Sequence, residues 1–517
     1  MFNNIISPCN IRSIIAFAFS YSLLAITGCA GSTDTEAVQQ ILSNNALNAD
    51  ETSNIVVNTA TPELIEVDTF TYKTGLNDFI GPDYGSTVPA KGESRVDPVT
   101  GVRITRLTDA NDFNGTNDSL IVYSRYSPEN SNGKLFLVFG ANSTSSWVVN
   151  RSTGAVVAEL RYDTNSNHQV GEIHEVRWDT SGNHPNRVYF RNAMKFYQID
   201  DVTKQDTTRS VIKDFDLVAD IPAAASHLYN DVEGDSSLDG DHWTWMAAEY
   251  ISGNYKVHAF VHYQISTDTT HVMKPSDLAG SPLAAFQTGS LFTSRPNMVE
   301  MNPAGTGVVI HYSRSYTGSP TSGMDGTWFD GPHLWPVNFD WATNTPVKIS
   351  VDESHSGWGY DLSGQEMFIS QNNRTDKLDA IATSGASAGY ANRVQLADHA
   401  DFGWSNGFHY GKMPASKPGW AFVNTYSNIS SGTHLADKGA DQLMLIQIKP
   451  ETDTPIIIRV GSNYNVYAGD YRDEAPAAMN QAGDRIYVST NWGGNLDHRE
   501  VFIFELPSNW DTEVLTQ

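Results

Sequence analysis

The sequence predicts an all-β body, a seven-bladed β-propeller, behind an export signal and a polar tether. Three observations carry that prediction. Short runs rich in β-branched and aromatic residues begin near residue 70 and continue to the C-terminus, which is the composition of strands. A strand–turn–strand unit recurs through that region at near-even spacing. The chain also holds 12 Trp, 22 Tyr and 22 Phe, enough aromatic surface for a large β-sheet core.

The repeat is a short strand, a turn rich in Gly, Asp, Asn, Ser or Pro, and a second apolar strand. It is seen at Asp179–Gly182 before Val188-Tyr189-Phe190, at Asn302–Gly305 before Val308-Val309-Ile310, and at Asn480–Gly483 before Ile486-Tyr487-Val488. The equivalent turn positions are Ser127, Asp179, Ser237, Asn302, Asp361, a looser copy near Pro414, and Asn480. Successive gaps are 52, 58, 65 and 59 residues, and the last two together span 119. Such spacing suits four-stranded blades with extended loops. Two packed β-sandwiches, the competing architecture, predict no such evenness.

The N-terminus reads as an export signal. Arg12 is the single charged side chain before an apolar run, Ile14–Phe19 and Leu23–Ile26, too short and too broken by Ser20 and Ser22 to span a bilayer. Leu24-Ala25-Ile26-Thr27-Gly28-Cys29 resembles a bacterial lipobox. That resemblance implies cleavage before Cys29, a lipid on its sulfur and an outer-membrane anchor, since Ala30 is not an acidic sorting residue. The expected organisation is residues 1–28 as signal, 29–65 as a flexible tether, and 66–517 as the propeller. Residues 30–65 are too polar to fold alone. Only Cys9 and Cys29 are present; with Cys9 removed and Cys29 lipidated, disulfides, thiol nucleophiles and Cys-based metal sites are excluded.

The charge balance, 59 Asp and Glu against 33 Lys and Arg, argues against nucleic acid, which demands a basic surface. An anionic polysaccharide is compatible only if a cleft gathers the cations.

A propeller gathers side chains at one mouth, where the chain enters each innermost strand. Counted back from the turns, those positions hold Glu172, His174 and Arg177; His227, Tyr229, Asn230 and Glu233; Arg295 and Asn297; His355 and Trp358; His409, Tyr410 and Lys412; and Arg472 and Glu474. His168 and His333 lie in the approaching loops. Each alone reads as structural: a His at a strand entrance as a hydrogen-bonding group, Trp358 as core, Glu474 as a blade-locking glutamate. Only their convergence points to function.

Gly171–Asp179, Asp330–His333, His355–Trp358, Lys417–Ala421 and Asn491–Gly493 resemble phrases of secreted bacterial propeller polysaccharide lyases. The nearest in texture are the ulvan lyases of marine bacteria, with oligogalacturonate lyases more distant. The resemblance implies β-elimination at a uronate of an acidic algal polysaccharide. In that scheme Arg295 neutralises the carboxylate, and His174, His227 and Tyr229 move protons. His168, Asn297, His333, His355, Trp358, His409, Tyr410 and Arg472 bind substrate, with His355 and His409 in reserve for proton transfer. The oligogalacturonate lyase pattern of a Gln and two closely spaced His for a metal is absent from the sequence.

No nucleotide loop is present. Asp163–Asn167 is a loose oxygen-rich segment of the kind that holds Ca²⁺, but it lacks the full spacing and the bidentate Glu, and a polar hairpin loop is the preferred reading. A monomer is expected. Two other classes compete with the lyase. One is a hydrolase or peptidase, for which no Gly-x-Ser-x-Gly elbow is found. The other is a non-catalytic cell-surface propeller that binds glycan or protein.

Overall fold

The turn residues of the repeat set the architecture. Asn302 Oδ1 accepts from the backbone N–H groups of Thr306 and Gly307, and Asn480 Oδ1 from those of Asp484 and Arg485. Asp361 Oδ1 accepts in the same way from Ser363 and Gln365. Each side chain thus supplies the turn with acceptors that water would otherwise provide. Gly305, Gly364 and Gly483 follow with φ of 70–81°, a left-handed conformation that favours glycine. The first repeat uses Asn130 rather than Ser127. Asn130 N–H donates to Leu135 C=O, as Asn302 does to Gly307 and Asn480 to Arg485.

The computed structural model describes residues 70–75, 81, 86–113, 116–141, 143–161, 173–204, 208–230, 233–251, 254–278, 296–311, 331–340, 345–351, 353–404, 406–427, 439–449, 454–467 and 471–516. All fall in the unit Val67–Gln517. The export signal, Cys29, the tether, Asp163–Asn167, His168 and Arg295 lie outside the described residues.

Among the described residues the strands form six antiparallel sheets, of which the largest, nine-stranded, holds two successive blades. Blade 1 pairs Leu135–Phe139, Ser145–Asn150 and Val156–Arg161, with an irregular inner segment bridged at Leu120 and Glu129. Blade 2 begins at Arg177–Trp178, blade 3 at His227–Tyr229 and blade 4 at Met298–Met301. Blades 5 and 6 begin at Glu353–Tyr360 and Asn406–Tyr410 and share the single pair Tyr360↔Trp420. Blade 7 runs Ala477–Met479, Arg485–Thr490 and Glu500–Glu505. Its fourth strand, Arg103–Arg106, comes from the other end of the chain.

Seven apolar cores lie between the blades and close a ring. Leu137 and Val148 of blade 1 pack with Val188 and Phe190 of blade 2. Phe196 meets Trp245 and Val261, Phe260 meets Val299 and Val308, and Val309 meets Trp358 and Phe368. Ile369 meets Phe408 and Val423, and Phe422 meets Val488 and Phe502. Tyr487 and Ile503 of blade 7 then return to Phe136 and Val138 of blade 1. Sheets packed face to face in a closed cycle are the architecture of a β-propeller.

Candidate functional site at the channel mouth

The channel is bridged by charge. Arg177, Asp235 and Glu300 each stand two residues before a turn residue, at Asp179, Ser237 and Asn302, and Lys412 stands two before Pro414. Lys412 Nζ of blade 6 donates to Asp235 Oδ2 of blade 3 at 2.7 Å, and Arg177 Nη2 of blade 2 donates to Gly234 C=O at 2.9 Å. Arg125 of blade 1 pairs with Glu300 of blade 4 and donates to Ser356 C=O of blade 5 at 2.7 Å. Glu300 also takes hydrogen bonds from His311 (3.0 Å) and Trp358 Nε1 (3.1 Å). Burial alone would push the Glu300 carboxyl up; Arg125 and His311 outweigh it and hold it below its ordinary range. On the turn side of this layer, a 260 Å³ cavity is lined by Tyr126, Arg177, Trp178, Met413 and Met479 among others.

On the mouth side a second cluster forms around His409. Its ring meets His355 at 4.9 Å between centroids, Tyr426 at 4.7 Å and Tyr123 at 5.5 Å. Tyr123 belongs to blade 1, His355 to blade 5, and His409 and Tyr426 to blade 6. Tyr426 can lie across the inner strand because its strand partner is Gly407; a Cβ there would stand 2.3 Å from the Tyr426 ring. Glu474, just before the inner strand of blade 7, completes the cluster, with its Oε2 3.5 Å from His409 Nε2.

Burial governs both groups. It pushes the His409 imidazole down to about 3, and the Glu474 carboxyl up to about 7 against the pull of His355 and of a hydrogen bond from Tyr426. The 3.5 Å contact is therefore not an ion pair at neutral pH. It joins a neutral imidazole to a carboxyl that gains and loses its proton near neutrality. Among the described residues neither ring nitrogen of His409 has a hydrogen-bond partner. A half-buried His355 opens the cluster to solvent.

Beside Glu474 lies an Arg-rich network. Arg499 Nε donates to Asp473 Oδ1 at 2.8 Å and its Nη1 to Asp118 at 3.3 Å, while Arg472 Nη1 is 3.9 Å from Asp118. Another arc of the ring carries other expected residues. His227 Nδ1 is 2.8 Å from Ser226 Oγ, and its imidazole is lowered by burial and by Arg191. Arg191 pairs with Glu175 and lies 5.6 Å from the Tyr229 ring centroid. His174 packs edge-on against Phe139 at 4.9 Å.

The remaining expected residues are placed as follows. Asn297 is half-buried beside the inner strand of blade 4. Trp358 and Tyr410 are 1% exposed and sit in inter-blade cores. His333 lies on the third strand of blade 4, wholly buried, with Nδ1 3.0 Å from Gly331 C=O. These three serve packing rather than an open surface. Glu474, which the sequence alone suggests as a blade-locking glutamate, joins the cluster around His409; the turn register places it at the mouth, but its neighbours are set by the tertiary fold. Among the described residues no group of three His, Cys, Asp or Glu is placed to hold a metal ion.

These features define the class: a closed β-propeller with a titratable cluster at one mouth and an ionic layer beneath it. No protein-family model matches the sequence, and no curated protein matches it in sequence. Solved structures do match. An oligogalacturonate lyase from Vibrio parahaemolyticus aligns over 81% of this chain and 100% of its own, with a TM-score of 0.51 and 11% identity. An oligogalacturonate lyase in complex with manganese aligns over 80% and 96%, with a TM-score of 0.51 and 10% identity. At such identities the likeness establishes a shared fold.

Proposed function

We propose that this protein is a polysaccharide lyase that cleaves an acidic, uronate-containing polysaccharide of the ulvan type by β-elimination. The observation that carries the reading is the Glu474–His409 contact, a carboxyl that titrates near neutrality held against a neutral imidazole at the mouth, with the half-buried His355 beside it. The fold shared with oligogalacturonate lyases supports it.

In the reaction a base takes the C5 proton of the uronate. The freed electron pair forms the C4=C5 bond, the C4–O4 bond breaks, and the departing O4 takes a proton; no water is consumed. Glu474, poised near neutrality, exchanges the proton, with His355 carrying it to the mouth and the neutral His409 ring holding the carboxyl in place. Arg295 neutralises the uronate carboxylate so that C5–H becomes acidic, assisted by Arg472. His174, His227 and Tyr229 form the opposite arc and hold the chain. One of the structurally similar oligogalacturonate lyases was solved with manganese; among the described residues of this chain no group of three His, Cys, Asp or Glu is placed to hold such an ion.

Cys29 anchors the enzyme by lipid to the outer membrane, where a large external polymer is met. Replacing Cys29 with Ser should release the protein from the membrane fraction.

The direct test is to incubate the protein with ulvan, polygalacturonate and alginate and follow the ultraviolet absorbance of the new C4=C5 bond. A steady rise with an unsaturated uronate at the product end supports the lyase. No rise with any of the three overturns it and leaves the glycan- or protein-binding propeller.

A further inference from the structure

We infer that Trp404 is a sugar-stacking platform at the rim of the mouth, binding a pyranose ring of the polysaccharide away from the cleavage point. The inference rests on the reading of the mouth as a glycan site.

Nine of the ten tryptophans among the described residues are buried, whereas Trp404 is 58% exposed. An indole left in water forgoes much of the apolar burial that would otherwise stabilise it. Trp404 stands between the last strand of blade 5, Val394–Asp398, and the first of blade 6, Asn406–Tyr410. That connection lies on the mouth side, because the innermost strands begin there. Trp404 stands five positions before His409, so the two are at most about 18 Å apart along the chain. A polysaccharide laid across the mouth would pass over both.

The indole is also held in place from behind. The His399 ring lies against it at 5.1 Å with a 33° tilt. His399 is 3% exposed and immobilised: its Nε2 is 3.0 Å from Asn406 C=O, its N–H donates to Asp376 C=O, and Phe408 meets it edge-on at 4.8 Å. Asn406 Nδ2 donates to Phe402 C=O at 2.6 Å, and Gly403 takes the positive φ of 98° at which the chain turns outward. An aromatic face presented to solvent on a rigid mount loses little entropy when a sugar covers it. The apolar C–H face of a pyranose fits such a surface, and a flat ring tolerates either charged or neutral sugars.

The test compares wild type, Trp404→Ala and Trp404→Phe, using size-fractionated ulvan oligosaccharides and oligogalacturonates. Binding is read by calorimetry and cleavage by absorbance. Trp404→Ala should weaken binding of long oligosaccharides roughly three- to tenfold, raise KM to match and leave kcat unchanged. Trp404→Phe should restore most of the affinity, and disaccharides too short to reach the rim should be unaffected. If wild type binds but does not cleave, and Trp404→Ala still weakens binding, the platform stands and the lyase reading falls. If wild type binds and cleaves, and Trp404→Ala binds long chains equally well, the platform falls alone. Failure of wild type to bind either glycan overturns the platform.

Discussion

Glu474 Oε2 and His409 Nε2 lie 3.5 Å apart at the channel mouth, and burial drives their protonation in opposite directions, to about 7 and about 3. The imidazole is therefore neutral throughout the working range, and the carboxyl is the group that titrates. If Glu474 is the base, uronate elimination should rise with pH through a midpoint near 7. Glu474→Gln keeps the shape and removes the titration. Its turnover should fall by about 10²–10⁴, the usual contribution of a positioned acid–base group, and its residual rate should be flat across that range. His409→Ala should also lower turnover. A Glu474→Gln variant with an unchanged pH profile would assign the base elsewhere, with His227 and Tyr229 next to be tested.

Sequence reading reached the ring but not its contents. The repeat was legible because Asn302, Asp361 and Asn480 each perform the same hydrogen-bonding task in a turn, so the chemistry recurs in the residue type. The first repeat was set three residues early, at Ser127, because Ser127 also caps a local turn through Glu129 N–H. Convergence at one mouth was legible from strand direction. Whether a convergent side chain is open or buried was not, since that depends on side chains that the neighbouring blades supply. Trp358 and Tyr410 are buried by such packing, and Trp404, just outside the strand, was passed over.

The ionic layer across the channel makes a second prediction. Arg125 and Glu300 are 1–2% exposed, so neither charge has water to fall back on. Removing one partner leaves the other stranded and commonly costs about 3–5 kcal/mol. Arg125→Met should lose stability on that scale in denaturant unfolding. Adding Glu300→Leu should recover part of the loss, because the stranded carboxylate is gone, although His311 and Trp358 then lose their acceptor. A double variant no more stable than Arg125→Met would show that the pair's role is packing rather than charge.

Stability should respond to pH in two opposed ways. His262, His333 and His409 are each pushed by burial to about 3, against about 6.5 unfolded. Their contribution is present above pH 6.5 and is lost as pH falls, because the unfolded chain binds the protons; at pH 5 the loss is about 2 kcal/mol each. Asp441 and Glu474 are raised by burial to about 7. Their contribution is present below about pH 4 and is lost as pH rises through 7. Asp441→Asn separates the two sets. It keeps the oxygen that accepts from Ser427 N–H, and Asn tolerates the positive φ of 52° at this position. The variant should be about 2 kcal/mol or more stable than wild type at pH 8, less so at pH 5, and near wild type at pH 4, as read by urea unfolding. Equal stability at all three pH values would mean that Asp441 is not held protonated.

Ring closure depends on a pairing between opposite ends of the body. Arg103–Arg106 completes blade 7 by pairing with Glu500–Glu505 in the register Ile104↔Phe504, and Ile104 is fully buried against Phe502 and Phe504. Without that strand the last blade would expose a hydrogen-bonding edge and part of the core between blades 6 and 7, a template for aggregation. A chain beginning at residue 107 should therefore fail to give a soluble, cooperatively unfolding protein. Ile104→Asp, which buries an unpaired charge at the same place, should cost at least about 3 kcal/mol. The decisive variant moves residues 94–106 behind the C-terminus on a flexible linker. If closure requires the strand and not its position in the chain, this permuted protein should regain a cooperative unfolding transition that the truncated chain lacks. Failure to regain it would mean that the N-terminal segment contributes something besides the fourth strand of blade 7.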